Sequence, residues 1–180
     1  MSRLVPIEKI KEVGERLKGV VTHTPLAINK NLSSLFNCTI LLKREDLQIV
    51  RSYKLRGAYN LMVSLPKDSI QKGVVCASAG NHAQGVAFSC NLLQVPGKIY
   101  MPVTTPRQKI NQVRMFGKEY VEVILVGDTF DDSFAEALSY SQASQKHFIH
   151  PFDDEKIIEG QATVGLEIIE DATEKIDFLF

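Results

Sequence analysis

From Gly73 onward the chain repeats one pattern: Val74-Val75-Cys76-Ala77, Lys98-Ile99-Tyr100-Met101, Val121-Glu122-Val123-Ile124-Leu125 and His147-Phe148-Ile149 are short β-prone runs, each followed by a helix-compatible stretch. Strands alternating with helices imply right-handed crossovers onto a parallel sheet with helices on both faces, a doubly wound α/β unit. Asp128 and Thr129 offer helix N-caps with Asp131 and Asp132 three residues on, and Phe130, Phe134 and Leu138 share one helical face, which reads as core. No internal repeat, low-complexity tract or flexible linker interrupts the 180 residues.

Before that unit, Ile7, Ile10, Val13 and Leu17 form the apolar stripe of a first helix that Gly19 ends. Thr24 precedes Pro25, so the segment from Thr22 to Leu26 is extended, with His23 structural or exposed. A short helix from Lys30 to Leu35 and a strand from Ile40 to Lys43 follow. The run Arg44-Glu45-Asp46 at that strand's end reads either as a solvated loop with internal ion pairs or as groups presented at a sheet end, and no catalytic role is assigned to it.

Lys plus Arg equals Asp plus Glu at 21 each, so no overall field attracts nucleic acid or an acidic membrane surface. Cys38, Cys76 and Cys90 are odd in number, lack Cys-x-x-Cys spacing and lie in or beside apolar runs. They read as buried, reduced thiols of a cytoplasmic protein, with no metal site. The N-terminus lacks an apolar secretory core and no apolar run is long enough to span a bilayer, so neither secretion nor membrane insertion is expected.

Two stretches carry chemistry. In Ser52-Tyr53-Lys54-Leu55-Arg56-Gly57-Ala58-Tyr59-Asn60, the residues Leu55, Ala58, Tyr59, Leu61, Met62 and Leu65 fall at helical spacing until Pro66, which puts Lys54 in a helix's first turn with Ser52 as N-cap. A cation there meets the positive end of the helix dipole, with Arg51 and Arg56 close in sequence. Neighbouring charge and burial would both favour the neutral amine, a nucleophile toward carbonyls. These residues alone leave open that Lys54 and Arg56 lie on a solvated helix start. The second stretch, Ser78-Ala79-Gly80-Asn81-His82, links a strand to a helix; its freed amides, hydroxyl and carboxamide make an anion receptor suited to a substrate carboxylate, or else an ordinary helix cap.

Ser-Tyr-Lys-Leu-Arg-Gly-Ala at 52–58, followed by Ser78-Ala79-Gly80-Asn81-His82-Ala83-Gln84-Gly85-Val86-Ala87, resembles the paired motifs of the fold-type II pyridoxal-phosphate enzymes, whose architecture is tryptophan-synthase-β-like. Leu42-Lys43-Arg44-Glu45-Asp46-Leu47-Gln48 and Met101-Pro102-Val103-Thr104-Thr105-Pro106 are most similar to the biosynthetic threonine dehydratases, and the likeness runs from about Thr22 to the last residue.

The resemblance implies a pyridoxal 5'-phosphate enzyme that converts L-threonine to 2-oxobutanoate and ammonia for isoleucine synthesis, as a homo-oligomer. Lys54 would bond the cofactor and act as the catalytic base, Asn81 would hydrogen-bond its ring hydroxyl oxygen, and Ser78, Ala79, Gly80, Asn81 and His82 would bind the amino acid's carboxylate, His82 mainly through its backbone. It also implies a small α/β lobe over 54–153, with 1–53 and 154–180 belonging to a larger cofactor lobe. No phosphate-cradling glycine loop is present; in the family that loop follows a strand resembling Ile176-Asp177-Phe178-Leu179-Phe180, so 1–180 is expected to be the N-terminal, truncated part of the catalytic domain. Glu159-Gly160-Gln161-Ala162-Thr163 departs from the family's Gly-Gln-Gly-Thr segment at Ala162, which puts the local backbone in question. A serine-acting relative, or a noncatalytic packing or interaction module, stands as the alternative. A nicotinamide-binding fold lacks its glycine motif.

Overall fold

A computed structural model describes residues 4–180. Its centre is a four-stranded parallel sheet built from β3 (Val74–Ala77), β4 (Gly97–Met101), β5 (Val121–Leu125) and β6 (His147–Phe148), in the order β5-β4-β3-β6. Side-chain alternation divides it into two faces. Val74 and Cys76 pack with Ile99 and Met101 against α3 (Lys54–Ser64), α5 (Asn81–Leu93) and α6 (Arg107–Gly117), while Val75, Ala77 and Tyr100 pack against α7 (Phe130–Ser144). Helices therefore cover both faces, and the doubly wound α/β reading holds.

The capping box on α7 also forms: Thr129 Oγ accepts from the Asp132 N–H while Asp132 Oδ2 accepts from the Thr129 N–H. The aromatic stripe on this helix is different from the expected core face. Phe130 and Leu138 are exposed, and Ser133, Ala137 and Ser141 are the buried residues, because small side chains let the helix lie close on the strands. Only Phe134 turns inward, its ring centroid 5.2 Å from that of Phe148.

The N-terminal segment forms α1 (Ile7–Leu17), which buries Val13 and Leu17, then β1 (Leu26–Ile28), α2 (Lys30–Phe36) and β2 (Leu41–Lys43). The strand at 41–43 does not join the parallel sheet; it pairs antiparallel with β1 in a separate two-stranded sheet. The Arg44-Glu45-Asp46 run accordingly follows a strand of that small sheet and not a parallel strand; Arg44 pairs with Asp46, while Glu45 is buried against Arg56. After α3 come α4 (Lys67–Gln71) and the sheet, and the chain closes with α8 (Glu155–Asp171), whose Asp154 N-cap accepts from the Lys156 and Ile157 N–H groups. Ala162 lies within this continuous helix, so its departure from the family segment costs no backbone irregularity. Residues 176–180 form no strand and are exposed, since no neighbouring strand among the described residues offers them hydrogen bonds.

All three cysteines are free. Cys76 and Cys90 are buried, and burial pushes the Cys90 thiol up to about 12 and Cys76 well above its ordinary value, which leaves both unreactive. Cys38, by contrast, is exposed, because the turn after α2 leaves it outside any packed layer. No described helix is long and apolar enough to cross a membrane, and no cluster of three or more metal-ligating side chains occurs among the described residues.

A charge network ties the N-terminal segment to α3 and α8. Arg56 is fully buried: Nε and Nη2 donate to Glu45 at 3.0 and 2.7 Å, and Nη1 and Nη2 donate to Glu167 at 2.6 and 3.0 Å. Glu167 and Asp171 also take Lys43 Nζ, at 2.8 and 2.9 Å. Burial pushes the carboxyl of Glu167 up, but hydrogen bonds from Arg56 and Lys43 outweigh it and hold the group below its ordinary 4.5. Burial likewise opposes, and Lys43 and His23 overcome it, at Asp171, held below 3.8.

A depressed folded-state pKa contributes stability that is complete above the unfolded value and is lost as pH falls through the folded one. Urea unfolding should therefore show stability dropping below about pH 4.5, with Glu167→Gln flattening that drop. A wild-type slope that the substitution leaves unchanged would remove Glu167 from this role.

Candidate active site

Lys54 is the first residue of α3, and its start is fixed from both sides. Upstream, the buried Gln48 clamps the Thr22 backbone, its Oε1 accepting from Thr22 N at 2.8 Å and its Nε2 donating to Thr22 O at 2.9 Å. Val50 is fully buried, and Arg51 takes a left-handed φ of 56° that turns the chain into the helix. Ser52 Oγ accepts from the Lys54 N–H at 3.2 Å, although Tyr53, not Ser52, occupies the cap position. Downstream, glycines allow close helix crossings. A Cβ on Gly85 of α5 would stand 3.1 Å from the Leu55 N and Cα, and one on Gly57 would stand 2.8 Å from the Ile157 O of α8. Helix α3 is thus held between α5 and α8 at its first turn.

The Lys54 side chain is half-buried and its Nζ donates to the Pro151 carbonyl at 2.9 Å, just beyond β6. Burial lowers its pKa from the ordinary lysine value. Among the described residues no carboxylate lies within ion-pairing distance, so the shift is opposed by no counter-charge, only by the Pro151 carbonyl and the Tyr53 ring, whose centroid is 5.4 Å away. Of the two forces expected from sequence, burial acts and neighbouring charge does not. Arg56 is neither solvated nor a repulsive neighbour: its charge is taken up by Glu45 and Glu167.

The Ser78 to His82 turn follows β3 and opens α5. Ser78 is buried; its N–H donates to Tyr100 O at 3.1 Å and its Oγ accepts from the Gly80 N–H at 3.2 Å, so the hydroxyl shapes the turn. The first helix bond is Gln84 N–H to Gly80 O at 3.4 Å, which leaves the amides of Asn81, His82 and Ala83 ahead of it without helical partners. Gly80 has open space where a Cβ would stand, with Ala79 half-buried beside it, and the Asn81 side chain is exposed.

His82 is buried; its Nε2 meets Ile149 O at 3.0 Å and its Nδ1 has no partner. Burial above all lowers its pKa to about 4, so it is neutral near pH 7. The carbonyls of Ile149 and Pro151 are parts of the site that carry no side-chain signal. Only a His-Pro pair after a short strand at the sheet's carboxyl end could have pointed there.

The sequence profile of a pyridoxal-phosphate dependent enzyme family matches residues 17–180. The chain belongs to this family. Its similarity to biosynthetic L-threonine dehydratases is high: 60% identity over 176 residues with the Halalkalibacterium halodurans protein and 52% over 177 with that of Bacillus subtilis, covering 98% of this chain and 42% of each relative. Processed threonine deaminase isoform 2 from Solanum lycopersicum superposes with a TM-score of 0.86 at 41% identity, covering 93% of this chain and 46% of that one. Maize serine racemase superposes at 0.89 with 28% identity, covering 96% and 51%. The fold is therefore the fold-type II architecture of those enzymes. The chain spans about 42% of the length of the curated relatives it matches.

Among the described residues, those of the site fit the family's cofactor at its reactive end: a half-buried amine bonded to a carbonyl and to no carboxylate, an exposed carboxamide, an uncrowded glycine and three amides without helical partners.

Proposed function

We propose that the protein acts, in its full encoded length, as a pyridoxal-phosphate-dependent dehydratase that converts L-threonine to 2-oxobutanoate and ammonia. Water is lost in the first stage and regained on hydrolysis. The observation that carries this is the Lys54 amine, its charge disfavoured by burial, held at a helix start by a hydrogen bond to the Pro151 carbonyl. The likeness to threonine dehydratases supports the substrate.

When bound, the cofactor supplies an electron sink for the charge left at the substrate Cα. Lys54 Nζ would hold it covalently and would take the substrate's α-proton; burial, which lowers its pKa from the ordinary lysine value, favours the neutral base this needs. Asn81 would donate from its exposed carboxamide to the ring's phenolic oxygen. The amides of Asn81 and His82, at the end of the Ser78 to His82 turn, would bind the substrate carboxylate, which would fix the Cα–H bond relative to Lys54. His82, neutral, adds no charge beside the carboxylate; its contribution to substrate is its backbone N–H. Residues 54–153 form the smaller lobe in this reading, and 1–53 with 154–180 belong to the larger one. Cytoplasmic residence accords with the free thiols, and homo-oligomeric assembly with the apolar Leu35 and Phe36 left exposed on α2.

Incubation of the full-length gene product with cofactor and L-threonine is expected to give saturable 2-oxobutanoate formation, and Lys54→Ala to lower kcat by on the order of 10²–10⁴-fold or more. Activity retained within a few-fold in that variant contradicts the assignment. The serine racemase likeness favours one second reading, action on serine. Comparing turnover of L-serine, and formation of D-serine, with threonine turnover separates the two.

A further inference from the structure

We propose that His82 is a positioning residue for Lys54: its Nε2–H holds the Ile149 carbonyl and, through Ile149-His150-Pro151, sets the Pro151 carbonyl against the Lys54 amine. This rests on the reading of Lys54 as the reactive amine. The geometry it concerns is nevertheless a property of the chain without cofactor.

The segment between β6 and α8 is packed through the buried Ile149 and Pro151, but few hydrogen bonds set the direction of its carbonyls. Strand β6 pairs with β3 only through His147 and Phe148, and the last ladder-like bond is Ile149 N–H to Val75 O at 2.8 Å. Beyond it Pro151 has no N–H to donate. His150 Nδ1 accepts from the N–H groups of Phe152 and Asp153 at 3.3 and 2.8 Å, bonds that curl the segment upon itself without attaching it to a neighbouring element. The next anchor is the Asp154 cap of α8.

Between these, two side-chain bonds reach the segment from the helices of the site: His82 Nε2 to Ile149 O at 3.0 Å, and Lys54 Nζ to Pro151 O at 2.9 Å. They come from the starts of α5 and α3, which Gly85 brings into backbone contact. The circuit of hydrogen bonds, chain and backbone contact runs His82, Ile149, Pro151, Lys54, Leu55, Gly85.

A carbonyl can only accept, so the ring must carry its hydrogen on Nε2 and leave Nδ1 bare. Nδ1 is buried without a partner, an arrangement that costs free energy and that a leucine would avoid. A proton added there would find no acceptor, and the titratable groups facing the ring are Lys54 and His150. The ring therefore stays a neutral single donor. A glutamine at this position would present its Nε2 donor at nearly the same reach, whereas an asparagine falls one methylene short.

The test reads the Lys54 amine directly in the cofactor-free chain, by competitive labelling with acetic anhydride across pH followed by peptide mapping. Wild-type Lys54 should titrate below the ordinary lysine value of 10.5. In His82→Asn the carbonyl tether is lost, solvent reaches the amine, and its titration should move up by about one pH unit, which is about tenfold less labelling near neutrality. His82→Gln should restore the wild-type curve.

Wild-type curves in both variants, or equal displacement in both, would overturn the proposal. Should neither variant fold, nitrogen-detected NMR of the wild-type chain decides. An Nε2–H tautomer that does not titrate above about pH 5 is the expected result, and an Nδ1–H tautomer or titration near the ordinary histidine value overturns it. Failure of the dehydratase reading would show separately, as absent 2-oxobutanoate with the labelling curves unchanged.

Discussion

Arg56→Leu is expected to lower unfolding free energy by about 3–5 kcal/mol, because removing one partner of a buried ion pair strands the others. Arg56 is fully buried, its guanidinium serves Glu45 and Glu167 together, and it also reaches Thr163 Oγ at 3.2 Å and Thr22 O at 3.4 Å. The two carboxylates do not fare equally without it. Glu167 retains Lys43 at 2.8 Å, whereas among the described residues Glu45 keeps the Thr24 hydroxyl at 2.6 Å and no cation.

Arg56→Lys should recover less than half of the loss, since a point charge cannot span two carboxylates as the planar fork does. Against a typical total stability of about 5–15 kcal/mol, the leucine variant stands near the edge of folding. Denaturant unfolding measures it. A loss under about 1 kcal/mol would mean that solvent reaches this network as it does a surface pair.

Gly160→Ala and Gly165→Ala, five residues apart on α8, are expected to differ in sign. A Cβ on Gly160 would stand 2.5 Å from Arg56 O and 2.7 Å from the Gly57 Cα. Both are backbone atoms of α3 and cannot rotate away, so the helices must separate. Overpacking of this kind costs about 1–3 kcal/mol, more than the helix propensity gained from alanine. Gly165 has nothing within 4 Å of its Cβ position, so alanine there should stabilise by about 0.5–1 kcal/mol. The Gly160 substitution should also reach function, because α3 carries Lys54 at its start. Thermal unfolding compares the pair, and equal shifts of one sign would contradict the crossing geometry.

The parallel sheet was legible because its strands and helices differ in period, and Val74–Ala77 and Val121–Leu125 fall where the alternation put them. The two-stranded sheet was not, since three-residue strands with half-exposed faces leave no alternation to read. On α7 hydrophobicity misled: aromatic residues mark a face in sequence, but contact distance selects the small residues Ser133 and Ala137 for the sheet. Lys54, Ser78 and Asn81 could be singled out because amine, hydroxyl and carboxamide at two helix starts have a shared chemistry.

The role of Arg56 could not be read locally, because Thr163 and Glu167 are 107 and 111 residues distant in sequence. Pro151 was invisible for another reason. What it contributes is a backbone carbonyl, which any residue has.

The central claim is that Lys54 is the amine that bonds the cofactor. Borohydride reduction of the full-length gene product loaded with pyridoxal phosphate, followed by peptide mapping, tests it most directly. One stable pyridoxyl label on Lys54, absent from Lys54→Ala, is the predicted result. Label on another lysine at comparable yield, or undiminished label in the alanine variant, would contradict it.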